Sequence, residues 1–193
     1  MNEILGYMSE YECQTLASMF QKFNFENAVG VEIGSLHGRS AFAISNAIPL
    51  GRLFCIDTWA GGPVDSPQFP LEYSIKHKFP IPGSGNNLLS IFLNNMKLCK
   101  NINAIKACSP YDISDWDLKC DFCFIDSEHE NPNDKDNIDF WLPKIRQGGI
   151  LSGHDYSSNM EFPAVHENVT YLETLLGRKV TNPPGTSIWY FNI

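Results

Sequence analysis

Polar and ionisable residues collect at five points of this 193-residue sequence, each directly after an apolar run. They are Gly34-Ser35, Asp57-Thr58-Trp59, Cys108-Ser109, Asp126-Ser127-Glu128-His129 and His154-Asp155. If the runs are parallel strands, all five points lie on the carboxyl edge, where open α/β sheets bind their ligands. A further acid lies inside a run. In VEIGSLHGRS, residues 31 to 40, Glu32 places a carboxylate among apolar neighbours, which is costly unless a partner compensates. Asp57 follows the glycine turn by about twenty residues, where a carboxylate can accept hydrogen bonds from both hydroxyls of a ribose. The alternative for Asp57 is a cap on a turn.

The turn itself, Gly34-x-x-x-Gly38 with Ser35 inside it and Arg39-Ser40 opening the next stretch, is a weak signal. It lacks the G-x-G-x-x-G spacing of a dinucleotide site and the lysine of a P-loop. Glycine at a tight strand-to-helix turn is also explained by backbone geometry alone.

The elements that must position these residues follow from the apolar runs AVGVEIG (28–34), RLFCID (52–57), INAIKAC (102–108), CDFCFID (120–126) and GGILSG (148–153). Continuous apolar runs suit strands covered on both faces, the pattern of a parallel sheet between helical layers. Helices are expected at 38–47, 86–98 and 133–145, with an amphipathic helix at 10–23 opened by Ser9 and another at 164–176. The tail KVTNPPGTSIWYFNI predicts two final strands around a Pro-Pro-Gly turn. Residues 59–86 hold five prolines and read as a long loop, a candidate lid whose Phe69, Tyr73 and Phe79 suit stacking on a sugar or aglycone. The whole chain reads as one domain.

Hydrophobic residues make up 43% and charged residues 19%, the composition of an ordinary globular protein. The formal charge of -8, with scattered Lys and Arg, argues against nucleic acid as a partner. No stretch of about 18 apolar residues occurs, so no membrane span is expected, and a cytoplasmic protein is the reading. The six cysteines lie mostly inside apolar runs and read as buried free thiols; Cys120 and Cys123, three apart on a strand, are expected to face opposite ways. Self-association is left open, with the 59–86 loop as a candidate interface.

Taken together, VEIGSLHGRS, CIDTW, FIDSEHE, WLPKIRQGGILSGHDY and GTSIWYF resemble a class I S-adenosylmethionine-dependent methyltransferase. The chain is most similar to the methyltransferase 24 type family, related to metal-dependent O-methyltransferases of sugars and natural products. The resemblance spans roughly residues 28 to 191 in the right order. It implies an α/β, Rossmann-like three-layer sandwich with a mostly parallel seven-stranded sheet and an antiparallel C-terminal strand.

By this resemblance Glu32, Gly34, Ser35, Gly38 and Ser40 hold the methionine part of S-adenosylmethionine, whose ammonium answers the buried acid. Asp57 then holds the ribose, and Thr58, Trp59 and Ser109 flank the adenine; ordinary core is the alternative for Trp59. Asp126 and Asp155 would end neighbouring strands and offer hard oxygen ligands to a divalent metal, Mg²⁺ or Mn²⁺. The resemblance makes His154 their companion, in a position where relatives carry an acid or amide. A nitrogen ligand there favours Mn²⁺, Fe²⁺ or Zn²⁺ over Mg²⁺. In the metal-free alternative Asp126 only orients the cofactor or a turn. His129 is the implied general base and Glu128 its competitor.

The implied activity is methyl transfer to a hydroxyl of a small molecule or sugar. Two other readings stand beside it: a Rossmann-like protein that binds the cofactor without transfer, and a nicotinamide-dependent oxidoreductase.

Overall fold

A computed structural model describes residues 4–61 and 88–193. The first helix, α1 (Glu10–Phe20), starts at a reciprocal cap: Ser9 Oγ accepts the Glu12 N–H at 3.2 Å, and the Glu12 carboxylate accepts the Ser9 N–H at 2.9 Å. Then come β1 (Val29–Ile33), α2 (Arg39–Ala47), β2 (Arg52–Asp57), α3 (Leu88–Asn95), β3 (Ile102–Lys106), β4 (Cys120–Ile125), α4 (Asn133–Trp141), β5 (Ile145–Gly153), α5 (Pro163–Leu176) and β6 (Trp189–Asn192). The lid expected at 59–86, with Phe69, Tyr73 and Phe79, lies almost wholly outside the described residues.

The strands form one sheet in the order β3-β2-β1-β4-β5-β6, parallel except for β6, which pairs antiparallel with β5. This is the Rossmann-like α/β architecture expected, with six strands rather than seven among the described residues. The missing strand is the one expected before the Pro-Pro-Gly turn. Only Thr181 bridges Tyr190 there, because Pro183 and Pro184 have no N–H for a ladder and Asn182 spends its side-chain amide on the carbonyls of Thr186 and Ile188.

Side-chain alternation divides the core into two layers. Val29, Val31 and Ile33 of β1 pack with Ile138 and Trp141 of α4 and Val165, Val169 and Leu172 of α5. On the other face, Leu53 and Cys55 of β2 and Phe122 and Phe124 of β4 pack with α1, α2 and α3 through Leu16, Phe20, Ile44 and Phe92. Glu32 belongs by its register to that second face and is fully buried. The edge position of β3 explains why its burial is partial, unlike the fully buried β1 and β4.

Three helix ends differ from the sequence pattern. The last residues of the expected 10–23 and 133–145 helices tighten into 3-10 turns at Gln21–Phe23 and Leu142–Lys144, the second around Pro143. The expected 86–98 helix is described over Leu88–Asn95.

All six cysteines are free. Cys120 and Cys123, expected on opposite faces, share one apolar cluster. The β4–β5 register shifts between Cys120 and Phe122, where two steps of β4 span five of β5, from Ile145 to Ile150. Strict alternation therefore fails at that end of the strand.

The turn after β1 positions the site. Gly34 has φ +86°, and a Cβ built on it would lie 2.0 Å from the carbonyl oxygen of Asp126. Glycine here lets the end of β1 approach the end of β4, with the Asp126 N–H donating to the Ile33 carbonyl at 2.8 Å. A Gly34→Ala variant should therefore lose about 2–4 kcal/mol of stability, from left-handed strain plus overpacking, as read by urea denaturation.

Candidate active site

Residues distant in sequence meet at the carboxyl ends of β1, β2, β4 and β5. In the turn after β1, Ser35 donates its hydroxyl to Glu32 Oε2 at 2.5 Å, while Glu32 Oε1 accepts no hydrogen bond among the described residues. Burial pushes the Glu32 carboxyl up to about 7, against the pull of the Ser35 and Ser40 hydroxyls, and the Asp126 charge adds to the rise. The buried acid thus has one satisfied oxygen and one orphan.

Asp57, at the end of β2, accepts the Leu36 N–H at 2.8 Å through Oδ2 and the Trp59 N–H at 2.6 Å through Oδ1. Its carboxylate thereby ties the glycine turn to the β2 end. Thr58 is exposed, and its hydroxyl accepts the Ala60 N–H at 3.3 Å. The Trp59 indole, by contrast, is core: it packs 5.0 Å from the Phe92 ring and donates Nε1–H to the Leu36 carbonyl. Ser109 is also turned inward, donating to Asn137 Oδ1 at 2.6 Å and accepting from Trp141 Nε1 at 3.0 Å. Both side chains are held against helices, which for Trp59 is the core alternative.

Beyond β4 and β5 lies a cluster of acids and imidazoles. His129 Nε2 is 2.6 Å from Asp155 Oδ2 and 3.9 Å from Asp126 Oδ1, with its ring 4.5 Å from Phe162. His154 Nδ1 is 3.3 Å from Asp155 Oδ1 and 3.7 Å from Asp126 Oδ1. Burial disfavours charge on both rings, but the adjoining carboxylates outweigh it: His129 is pushed up to about 10 and His154 well above its ordinary value. Asp155 is likewise held below the usual carboxylate range by the two imidazoles, despite its burial. Glu128 is exposed and lies toward Cys108, whose thiol rises through burial and the charges of Asp112 and Glu128.

Asp126, His154 and Asp155 offer one donor atom each, all within 4.8 Å of one another. Two carboxylate oxygens and an imidazole nitrogen this close together are a donor set that a divalent ion could use.

A family described as Methyltransferase domain matches residues 31–156, which contain every residue just placed at the strand ends. The chain belongs to this family. It is an S-adenosylmethionine-dependent methyltransferase. No curated protein matches the sequence significantly. Among solved structures, a calicheamicin methyltransferase superposes on the methyltransferase with TM-score 0.67 at 15% identity, covering 94% of this chain and 78% of its own. Cofactor-bound Rv0187 from MTB gives 0.67 at 15% identity, with 97% and 82% covered, and precorrin-6y C5,15-methyltransferase from Geobacter metallireducens 0.62 at 14%, with 98% and 90% covered. At these identities the likeness establishes the fold. No helix among the described residues is long and apolar enough to cross a membrane.

One contributor was not singled out by the sequence pattern. Glu12 of α1 reaches His154 Nε2 at 3.1 Å and accepts the Ser187 N–H at 3.0 Å. Ser9-x-x-Glu12 reads as a helix start, and nothing in it signals a distant histidine.

The Glu32 environment sets a pH dependence for the cofactor-free methyltransferase. An acid with ordinary value 4.5 and folded value about 7 leaves its stability contribution intact below pH 4.5 and forfeits it as pH rises through 7. Glu32→Gln should be more stable than the parent at pH 8, by up to about 3 kcal/mol, with the gap closing near pH 4.5 in paired urea titrations.

Proposed function

We propose that this methyltransferase moves a methyl group from S-adenosylmethionine to a hydroxyl oxygen of a small molecule or sugar, assisted by a divalent metal ion. The supporting observation is the adjacency of two constellations on one sheet edge: Glu32, Ser35, Asp57 and Asp126 at the glycine turn, and Asp126, His129, His154 and Asp155 beside it. One side is suited to a cationic nucleoside and the other to an ionising hydroxyl. A structural neighbour, a TDP-rhamnose 3′-O-methyltransferase with TM-score 0.64 at 11% identity, makes a sugar hydroxyl a reasonable acceptor class.

In this reading the orphan Oε1 of Glu32 faces the cofactor ammonium, directly or through water. Asp57 keeps its backbone hydrogen bonds and has remaining lone pairs for ribose hydroxyls. Asp126, His154 and Asp155 would hold a divalent ion, which supplies acidification of a bound hydroxyl and withdraws carboxylate charge from His129. His129 is then the group best placed to take the hydroxyl proton, with exposed Glu128 the second choice. The acceptor oxygen forms the new bond to the methyl carbon, the carbon–sulfur bond breaks, and the sulfur keeps its electron pair to leave S-adenosylhomocysteine. The protein contributes chiefly alignment of oxygen, carbon and sulfur.

Calorimetry with S-adenosylhomocysteine should show binding that Glu32→Gln weakens about tenfold to a hundredfold, the range of a lost charge-assisted hydrogen bond. Near pH 7 the binding should release protons, detected as a buffer-dependent heat, because the ligand ammonium favours ionised Glu32. Absence of any binding would remove the reading. Labelled-methyl transfer to sugar and small-molecule hydroxyls that persists undiminished in a chelator would remove the metal from it.

A further inference from the structure

Glu12 lies outside the matched methyltransferase segment, yet its carboxylate ends against His154 of the acid and imidazole cluster. Every neighbour that its carboxylate meets is a donor. Oε2 accepts the Ser9 N–H at 2.9 Å and the Ser9 hydroxyl at 2.9 Å; Oε1 accepts the Ser187 N–H at 3.0 Å and lies 3.1 Å from His154 Nε2. A carboxylate in that setting has no proton to give, so its contact with the imidazole requires the hydrogen on Nε2. The other nitrogen, Nδ1, is the one turned toward Asp126 and Asp155.

The main chain that carries the ring is also fixed. The His154 backbone N–H donates to the Ile125 carbonyl at 3.1 Å, and its backbone carbonyl accepts Trp189 Nε1–H at 3.2 Å. Turning the ring over would take Nε2–H from Glu12 and leave that carboxylate oxygen with the Ser187 amide alone. A carboxylate that binds the far nitrogen of a metal-facing histidine sets both its tautomer and its basicity.

We propose that Glu12 is a positioning residue that presents His154 Nδ1 as a nitrogen ligand, making the Asp126-His154-Asp155 site selective for Mn²⁺, Co²⁺ or Zn²⁺ over Mg²⁺. The selectivity follows from ligand type, since imidazole suits these ions whereas Mg²⁺ takes oxygen almost exclusively. This rests on the metal-assisted reading of the site given above. It assigns to α1, a helix outside the matched segment, a part in choosing the ion.

The test uses the full chain, stripped of metal, with Mn²⁺ and Mg²⁺ as probes. Calorimetry of the parent should give at least tenfold tighter binding of Mn²⁺ than of Mg²⁺, and the electron paramagnetic resonance of bound Mn²⁺ should show coupling to an imidazole nitrogen. His154→Asn should lose the nitrogen coupling and most of the preference. Glu12→Gln should weaken Mn²⁺ about 10–100-fold, the range for loss of such an outer partner. Because Glu12 also caps α1, Ser9→Ala is the companion variant: it removes the cap hydroxyl and lowers thermal stability, but the Ser9 and Ser187 N–H groups still hold the Glu12 carboxylate, so Mn²⁺ affinity stays within about twofold.

Unchanged affinity and coupling in Glu12→Gln would overturn the proposal. So would equal losses in Glu12→Gln and Ser9→Ala, which would mark Glu12 as a cap alone, or no Mn²⁺ binding by the parent. S-adenosylhomocysteine binding measured on the same samples separates the two readings: retained without nitrogen coupling, it sinks this inference only; absent, it sinks the methyltransfer reading itself.

Discussion

Buried negative charge is the constraint around which the ligand edge of this protein is organised. Glu12, Glu32, Asp57, Asp126 and Asp155 converge there, and the ion pairs described among them use histidine, with neither lysine nor arginine taking part. Carboxylates in a low-dielectric interior must be protonated, hydrogen-bonded or paired. Four of these acids take different courses. Asp57 is satisfied by backbone N–H groups, Asp155 by two imidazoles and Glu12 by Ser9, Ser187 and His154. Glu32 is left with an unused oxygen and sits near the midpoint of its titration at neutral pH. In the proposed function, a cationic ligand is the partner that this group would take.

The fold creates this crowding by two devices. Parallel strands deliver their carboxyl ends to a single edge, so residues as far apart as Glu32 and Asp126 become neighbours without a long loop to carry either. Gly34 then removes the one side chain that would hold the ends of β1 and β4 apart. The remaining distance is closed from outside the sheet. The Glu12 carboxylate links α1 to Ser187, two residues before β6, and to His154 at the end of β5, so that three peripheral pieces of chain are fastened at the point where His154 stands. The chemistry proposed for the edge needs alignment more than covalent assistance, and this fastening holds His154 in one place.

Much of this was legible in the order of residues. Apolar runs marked five strands within a residue or two, except at β5, which starts three residues before its run, and Arg52–Asp57 coincided throughout, because strands buried on both faces leave an uninterrupted pattern. Glu32 declared itself as a carboxylate in such a run, and Asp126, His154 and Asp155 by following others. Pro183 and Pro184 show the opposite case: a β-compatible tail became one strand and a bridge because a ladder needs N–H groups that proline lacks.

Sequence by itself determined the α/β class, the strand ends and the acids that gather there, since all of these depend on local patterning and on the direction of parallel strands. Tertiary structure alone decided that Trp59 and Ser109 turn inward to Phe92, Asn137 and Trp141, that Cys120 and Cys123 share a cluster, and that a helix-capping glutamate reaches across 142 positions to a histidine. Those outcomes depend on which surfaces meet after the helices dock, and close packing of distant surfaces leaves no periodic trace along the chain.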